Sequence, residues 1–389
     1  RPDLNNGSAK RYNPVPTPAQ EAALADPIKS AFYDIQAASG AGFVEEGGWL
    51  WTTGWGDFDQ EYDAVRDGVG MWDLSPLNKW DFSGPEALEA VQRTHTNNIL
   101  GMKTGQVRYG GFVDEEGMLI DDGTVFKFAD DHLWVMTNDM GREAYFADAT
   151  KGLDVEVRYI GPETPSLQIQ GPGSREVVAS LTEVDLGAMR YFTFIPEPVT
   201  FAGAPVIISR TGFSGEHGYE IFLSPGDAER IWEGVRSAGA VPYGIDIIEA
   251  IRIEVGMIVT GYDYQEHEAS PFDMGLDRLV ALDGEGEFMG KDKLREIALD
   301  PPNRLKTVRL DGDVLPEYGA AITIGGEVAG TLTSPAHSPK LGANIGLAMI
   351  RTDVAADGTK VDVALGDRTV AGTVDVLAIY DPQKTRPRS

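Results

Sequence analysis

With 389 residues, 42% of them hydrophobic and 9% aromatic, the chain has room for two or three packed domains and too much apolar content to be disordered. It contains no cysteine, which excludes disulfides, thiolate nucleophiles, thiolate metal sites and iron–sulfur ligation together. A net charge of −28, from 33 Lys and Arg against 61 Asp and Glu, argues against nucleic acid or an anionic membrane as partner, because both demand positive surface.

The opening stretch RPDLNNGSAKRYNPVPTPAQ lacks the apolar core of a signal peptide, and no later run approaches the roughly 20 apolar residues that cross a bilayer. A soluble, cytoplasmic protein is therefore expected. Residues 1–25, polar and rich in Pro and Asn, read as an irregular N-terminal arm.

Further along, EEGMLIDDGTVFKF (115–128) sets two acids side by side in an apolar run. In an extended chain successive side chains alternate, so Asp122 shares a face with Ile120, Phe126 and Phe128, while Asp121 shares the other with Lys127. Burial among aromatics would raise the pKa of Asp122, which makes it the functional candidate of the pair. The competing reading is structural: Asp122-Gly123 is also a strong signal for a tight hairpin turn. Spacing alone leaves both open.

A second acid on an apolar strand is Glu220, in SRTGFSGEHGYEIFL (209–223). Such a carboxylate needs a partner, either an internal cation, for which Arg210 is available, or a ligand with neighbouring N–H donors. SPGDAERIWEGVRSAG (224–239) reads as a helix, with Ser224 as cap, Pro225 in the first turn, Ala228, Ile231, Trp232 and Val235 on one face, and Gly239 at its end. After the helix-like GKDKLREIAL, the prolines of DPPNR (300–304) mark a domain boundary. Residues 301–389 then read as a β domain, with a hairpin folded at Gly366-Asp367.

Familiar signatures are missing. GFSGE is not the nucleophile elbow, GEGEFMG lacks the dinucleotide spacing, and no Walker sequence is present. His95, His132, His217, His267 and His337 are scattered, so no metal is expected.

Several segments in order, among them EYDAVRDGVGMWDLS (61–75), DEEGMLIDDGTV (114–125), LQIQGPGSREV (167–177), RTGFSGEHGYEI (210–221), RIEVGM (252–257), EASPFDMGLDRLV (268–280), FMGKDKL (288–294) and TSPAHSPKLGANIGLAMI (333–350), resemble the aminomethyltransferase family of the glycine cleavage T-protein. The resemblance covers about residues 30–380. It implies an α+β, three-domain clover-leaf fold with a C-terminal β-barrel-like domain. Two interleaved domains would fill 26–300, one from about 26–77 with 156–262 and the other from 78–155 with 263–300. It also implies tetrahydrofolate as cofactor, with Asp122 as the catalytic acid and Glu220 as the carboxylate that takes the two parallel donors of the pterin edge. Phe126, Phe213 and Met257 become candidate walls of the folate site, and Arg252, which matches an arginine of the family, joins them as a cofactor-binding candidate.

The sequence departs from the family in two places. Ile248 stands where the T-protein pattern has an arginine, and Pro76 replaces the usual histidine after DLS, while GGWLWTTGW brings Trp49, Trp51 and Trp55 close together. Losing a cation and gaining aromatic surface favours a donor other than an aminomethyl group on a lipoyl arm. The expectation is a folate-dependent demethylase that takes a methyl group from a small methylated amine, ether or sulfonium compound, with Trp49, Trp51, Trp55 and Ile248 on the donor side. The alternatives are a true T-protein, which alone would need a lipoyl carrier protein, and, in a different class, a non-catalytic folate-binding protein.

Overall fold

The structure, a computed structural model, describes residues 26–389 apart from residue 140; the expected N-terminal arm lies outside the described residues. Besides a small hairpin of Gly42–Glu46 and Trp49–Gly54, three larger sheet systems organise the chain, and the first two of them are interleaved in sequence. The first is six-stranded, in the spatial order Val199–Phe201, Ala204–Ser209, Gly218–Leu223, Ser166–Gln170, Gly70–Asp73, Val241–Pro242. The second is five-stranded, in the order Val107–Val113, Leu119–Ala129, His132–Thr137, Asn78–Ser83, Glu156–Tyr159. Strand Glu156–Tyr159, expected with the first unit, pairs with Asn78–Ser83 instead, so the chain returns to the first sheet only after Tyr159.

The third system is a closed barrel of Asn303–Leu310, Ala343–Arg351, Glu327–Ser338, Ala320–Ile324, Lys360–Leu365 and Arg368–Asp375. Its last hairpin turns at Gly366 and Asp367 as the sequence implies, with Gly366 at a φ of 62°. Closure removes the unpaired edges that an open sheet of this size would expose.

Helices cover the faces of the sheets. Ile231, Trp232 and Val235 of helix Ala228–Ser237 are buried against Met71, Ile169 and Ile221 of the six-stranded sheet. The spacing of these residues puts them on one side of the helix, which fixes the face it buries. Its entry differs in detail from expectation: Pro225–Asp227 form a single 3₁₀ turn, and the Ser224 side chain makes no capping hydrogen bond. In the five-stranded sheet, Ala90 and Val91 of helix Ala87–Thr94 and Phe146 of helix Glu143–Ala149 close over Trp80, Phe82 and Phe112.

The two open sheets meet through Val107, Phe126 and Met136 on one side and Phe194, Ile207 and Phe222 on the other. The barrel joins them through Leu305, Ile345 and Leu347, which pack with Leu119, Ile253 and Tyr264. Among the described residues no helix is long and apolar enough to cross a membrane.

Candidate functional site

Asp122 lies in the middle of strand Leu119–Ala129, opposite Gly111, so Asp122-Gly123 is not a turn. Gly123 serves close packing: a Cβ there would stand 1.8 Å from the carbonyl oxygen of Met136 on the neighbouring strand. The paired acids diverge as the alternation requires. Asp121 accepts hydrogen bonds from Asn138 Nδ2 at 2.9 Å, the Asp139 N–H at 3.2 Å and Arg142 Nε at 3.1 Å, which pins the segment after strand His132–Thr137. Lys127, expected on its face, turns instead to the Met102 carbonyl at 2.8 Å and to Asp130 at 2.6 Å.

Asp122 is only 5% exposed and its carboxylate meets no cation among the described residues; Tyr109 donates to Oδ2 at 2.7 Å and Tyr264 to Oδ1 at 2.6 Å. Burial, followed by the neighbouring charge of Asp121, pushes its pKa up to about 7 against the lowering effect of the two hydroxyls. A carboxyl so placed exchanges a proton near neutrality, the range in which general acid–base chemistry is most effective.

Glu220 sits at the centre of the six-stranded sheet, between Ser209 and Gln168 on the flanking strands. Thr211 donates to Oε2 at 2.5 Å and Gln168 Nε2 to Oε1 at 3.1 Å. Tyr243 in turn donates to Gln168 Oε1 at 3.0 Å and so fixes the orientation of the amide. Arg210, the internal partner that the sequence offered, reaches the carbonyls of Gly218 and Pro387 and leaves Glu220 unpaired. Burial raises the pKa of Glu220, and Lys79 is the cation that acts against the rise. Lys79 is itself fully buried, donating to the carbonyls of Leu77 and Ser75, and burial lowers its pKa to about 7.

The remaining expected residues separate into groups. Trp51, Phe213 and Ile248 come together with Trp72, Leu74 and Tyr243 in one apolar cluster, which the Tyr243–Gln168 bond ties to Glu220. Met257 is half-buried in the segment that follows helix Ile245–Glu254. Phe126 is fully buried, edge-on to Phe222 and tilted against Phe194, so its ring is used in joining the two sheets.

Trp49 is 1% exposed, and Trp55 packs on Trp232 while donating to Ser39 Oγ at 3.0 Å; neither belongs to the cluster around Trp51 and Ile248. Arg252 is fully buried and bonds Glu249 through Nε and Nη2, Asp263 and the Met257 carbonyl through Nη1, and Ser334 through Nη2. That usage occupies all its donors, so it clamps helix Ile245–Glu254 to the barrel and has no N–H left for a ligand.

Sequence reasoning did not find Tyr109, Tyr264, Thr211, Gln168 or Lys79. Tyr109 had a legible signal, since it stands on strand Val107–Val113, which pairs directly with the Asp122 strand. Tyr264 had none, because it reaches Asp122 from a distant loop.

Comparison with known proteins agrees with the fold. The chain matches the GCVT N-terminal domain over residues 32–284 and the glycine cleavage T-protein C-terminal barrel domain over residues 303–381. It is 34% identical over 368 residues to an aminomethyltransferase of Streptomyces coelicolor, covering 92% of this chain and 98% of that one. A trimethylamine-oxide aldolase of Ruegeria pomeroyi is 34% identical over 348 residues, 85% of this chain but 44% of that longer one. The glycine cleavage system aminomethyltransferase T of Bartonella henselae superposes with a TM-score of 0.82 over 90% of this chain and 98% of that one, at 21% identity, a likeness of fold.

Proposed function

The chain belongs to the aminomethyltransferase family of the glycine cleavage T-protein, enzymes that work with tetrahydrofolate, and on that premise we propose that it is a demethylase. Its substrate would be a small methylated amine, ether or sulfonium compound, and its product the methylated folate. Bound tetrahydrofolate supplies the nucleophilic nitrogen that receives the one-carbon unit.

The residues fit that group. Glu220 is buried and, among the described residues, faces no cation at salt-bridge distance, while Thr211 and Gln168 each place one hydrogen bond on it. A carboxylate oxygen accepts more than one hydrogen bond, so capacity remains for the paired N–H donors of a pterin edge. Phe213 and Met257, both half-buried, are the candidate walls. Asp122 is the proton acceptor: with the folate bound, its carboxylate would take the proton that the methylated nitrogen must lose, while an ether donor, left as an alkoxide, would draw a proton from solvent and a sulfonium or ammonium donor, left neutral, would need none. No electrons are exchanged.

The observation that carries the donor assignment is the surrounding of Ile248. It is 5% exposed and shares one apolar cluster with Trp72, Trp51 and Phe213, so its surroundings are aromatic and aliphatic where the T-protein pattern has a guanidinium. Such a wall suits an uncharged or methyl-cationic donor. The aldolase relative, named for a methylated amine oxide, points the same way.

A second reading, glycine cleavage aminomethyltransferase, is favoured by the names of other relatives, such as that of Streptomyces avermitilis at 33% identity over 344 residues. Incubation with tetrahydrofolate and a panel of methylated metabolites, followed by mass analysis of the folate, decides between them. Formation of 5-methyltetrahydrofolate supports the demethylase. Failure of every donor, with 5,10-methylenetetrahydrofolate formed only from an aminomethylated lipoyl carrier protein, establishes the second reading.

A further inference from the structure

The acid at the centre of the site does not end a hydrogen-bond chain; it begins one. Tyr264, 4% exposed, donates to Asp122 Oδ1 at 2.6 Å, and its own oxygen lies 2.6 Å from Thr260 Oγ1. Because the tyrosine proton is committed to the carboxylate, the Thr260 hydroxyl is the donor in the second bond. Thr260 is half-buried and stands at the outer end of the line. Nearby, Asp121 is 3.5 Å from Thr260 Oγ1, but its oxygens already accept from Asn138, the Asp139 N–H and Arg142. The shorter bonds thus fill Asp121, and water is the acceptor beyond Thr260.

We infer that the hydroxyls of Tyr264 and Thr260 form a proton conduit between the Asp122 carboxyl and solvent, so that the proton taken up in the transfer leaves without crossing the ligand-filled side of the site. The proposal rests on the reading of Asp122 as proton acceptor. Its steps balance. Once both hydroxyls have turned outward from the resting orientation, protonated Asp122 gives a proton to the Tyr264 oxygen, Tyr264 passes its own to Thr260, and Thr260 passes its own to water. Each O–H bond broken is matched by one formed, and no oxidant or co-reactant is needed.

The groups facing Asp122 are Tyr109 on Oδ2, Tyr264 on Oδ1 and the neighbouring Asp121. None of them other than Tyr264 connects to Thr260 by a bond shorter than 3.5 Å among the described residues. Tyr109 holds the other oxygen in place, and Tyr264 with Thr260 gives the carboxyl its way out.

The test needs neither donor nor folate, so its outcome is independent of the demethylase assignment. In the ligand-free protein at neutral pH, a proton released by a light pulse from o-nitrobenzaldehyde is followed into Asp122 by time-resolved infrared, the band being identified by its loss in Asp122→Asn. Thr260→Val should slow the rise of that band by roughly tenfold or more, and Thr260→Ser should restore the rate. An unchanged rate in Thr260→Val overturns the conduit. Slowing in both variants overturns it as well, since the hydroxyl would then not be what matters.

Discussion

Around Arg66 and Arg252 the buried acids meet guanidinium groups; around Asp122 and Glu220 they do not. Arg66 is 0% exposed and reaches Glu254 at 2.6 Å and Glu216 at 2.8 Å, with further bonds to the carbonyls of Ser214 and Ile251. Tyr62 and Ser338 add donors to Glu254, each at 2.5 Å, and Arg386 adds one to Glu216 at 2.7 Å. This cluster joins helices Phe58–Asp67 and Ile245–Glu254, the barrel and the tail. Its charges are matched within the chain, so it is complete without a ligand. At Asp122 and Glu220 the same kind of acid is held by hydroxyls and one amide, which orient it without neutralising it. Buried acids held at bonding distance by neutral groups in one place and by guanidinium groups in the other distinguish a surface made for a ligand from one made to hold the protein together.

The contrast is broken most severely at Arg66. Arg66→Met strands Glu254 and Glu216 without their cation and should cost about 3–5 kcal/mol in denaturant unfolding, the range for removing one partner of a buried pair. Asp122→Asn should do the opposite to stability while damaging function. Turnover with the donor found in the panel should fall by about a hundredfold or more in steady-state assays.

The stability effect of Asp122→Asn has a definite sign. Because the carboxyl rises from 3.8 to about 7 on folding, the folded chain retains a proton that the unfolded chain loses between those values. The contribution is therefore fully present below pH 3.8 and is lost as pH rises through about 7. The asparagine variant removes that slope, so its urea midpoint should exceed that of the wild type above neutrality.

Glu220→Gln should weaken tetrahydrofolate binding by roughly 1.5–3 kcal/mol in calorimetry, as for a hydrogen bond that involves charge, with little change in unfolding. Unchanged affinity would remove Glu220 from the binding site. The smallest effect belongs to the surface: Arg158 and Glu163 pair at 2.8 Å with side chains 53% and 66% exposed. Arg158→Ala should shift stability by no more than about 1 kcal/mol in the same denaturant experiment.

Much of this contrast was legible in the chain, but unevenly. Asp122 and Glu220 stood out because an acid on an apolar strand violates a local rule, and local rules are read from neighbours in sequence. The 366–367 hairpin and the face of the helix around Trp232 were legible for the same reason. What escaped notice depends on distant pairing. Arg210 looked like the partner of Glu220 by proximity along the chain, yet its guanidinium is turned to the Gly218 and Pro387 carbonyls. Arg252 looked like a ligand arginine by its motif, and only the arrival of Ser334 from the barrel shows that its donors are spent. Trp49, Trp51 and Trp55 formed one aromatic patch on paper, but only Trp51 joins Ile248; Trp49, at the start of the strand, is buried outside that cluster, and Trp55, beyond its end, packs on Trp232.

The interleaving of the sheets bears on how a ribosome must deliver this molecule. Strand Gly70–Asp73 takes its partners from Ser166–Gln170 and Val241–Pro242, with the entire five-stranded sheet synthesised before the first of them. An early strand thus waits, edges unsatisfied, while a later unit is able to close first. The Arg66 cluster is not complete until Arg386 emerges. Nascent chains should therefore be most prone to clumping during that wait, and translation pauses or chaperone capture after the second sheet would raise the yield of active protein.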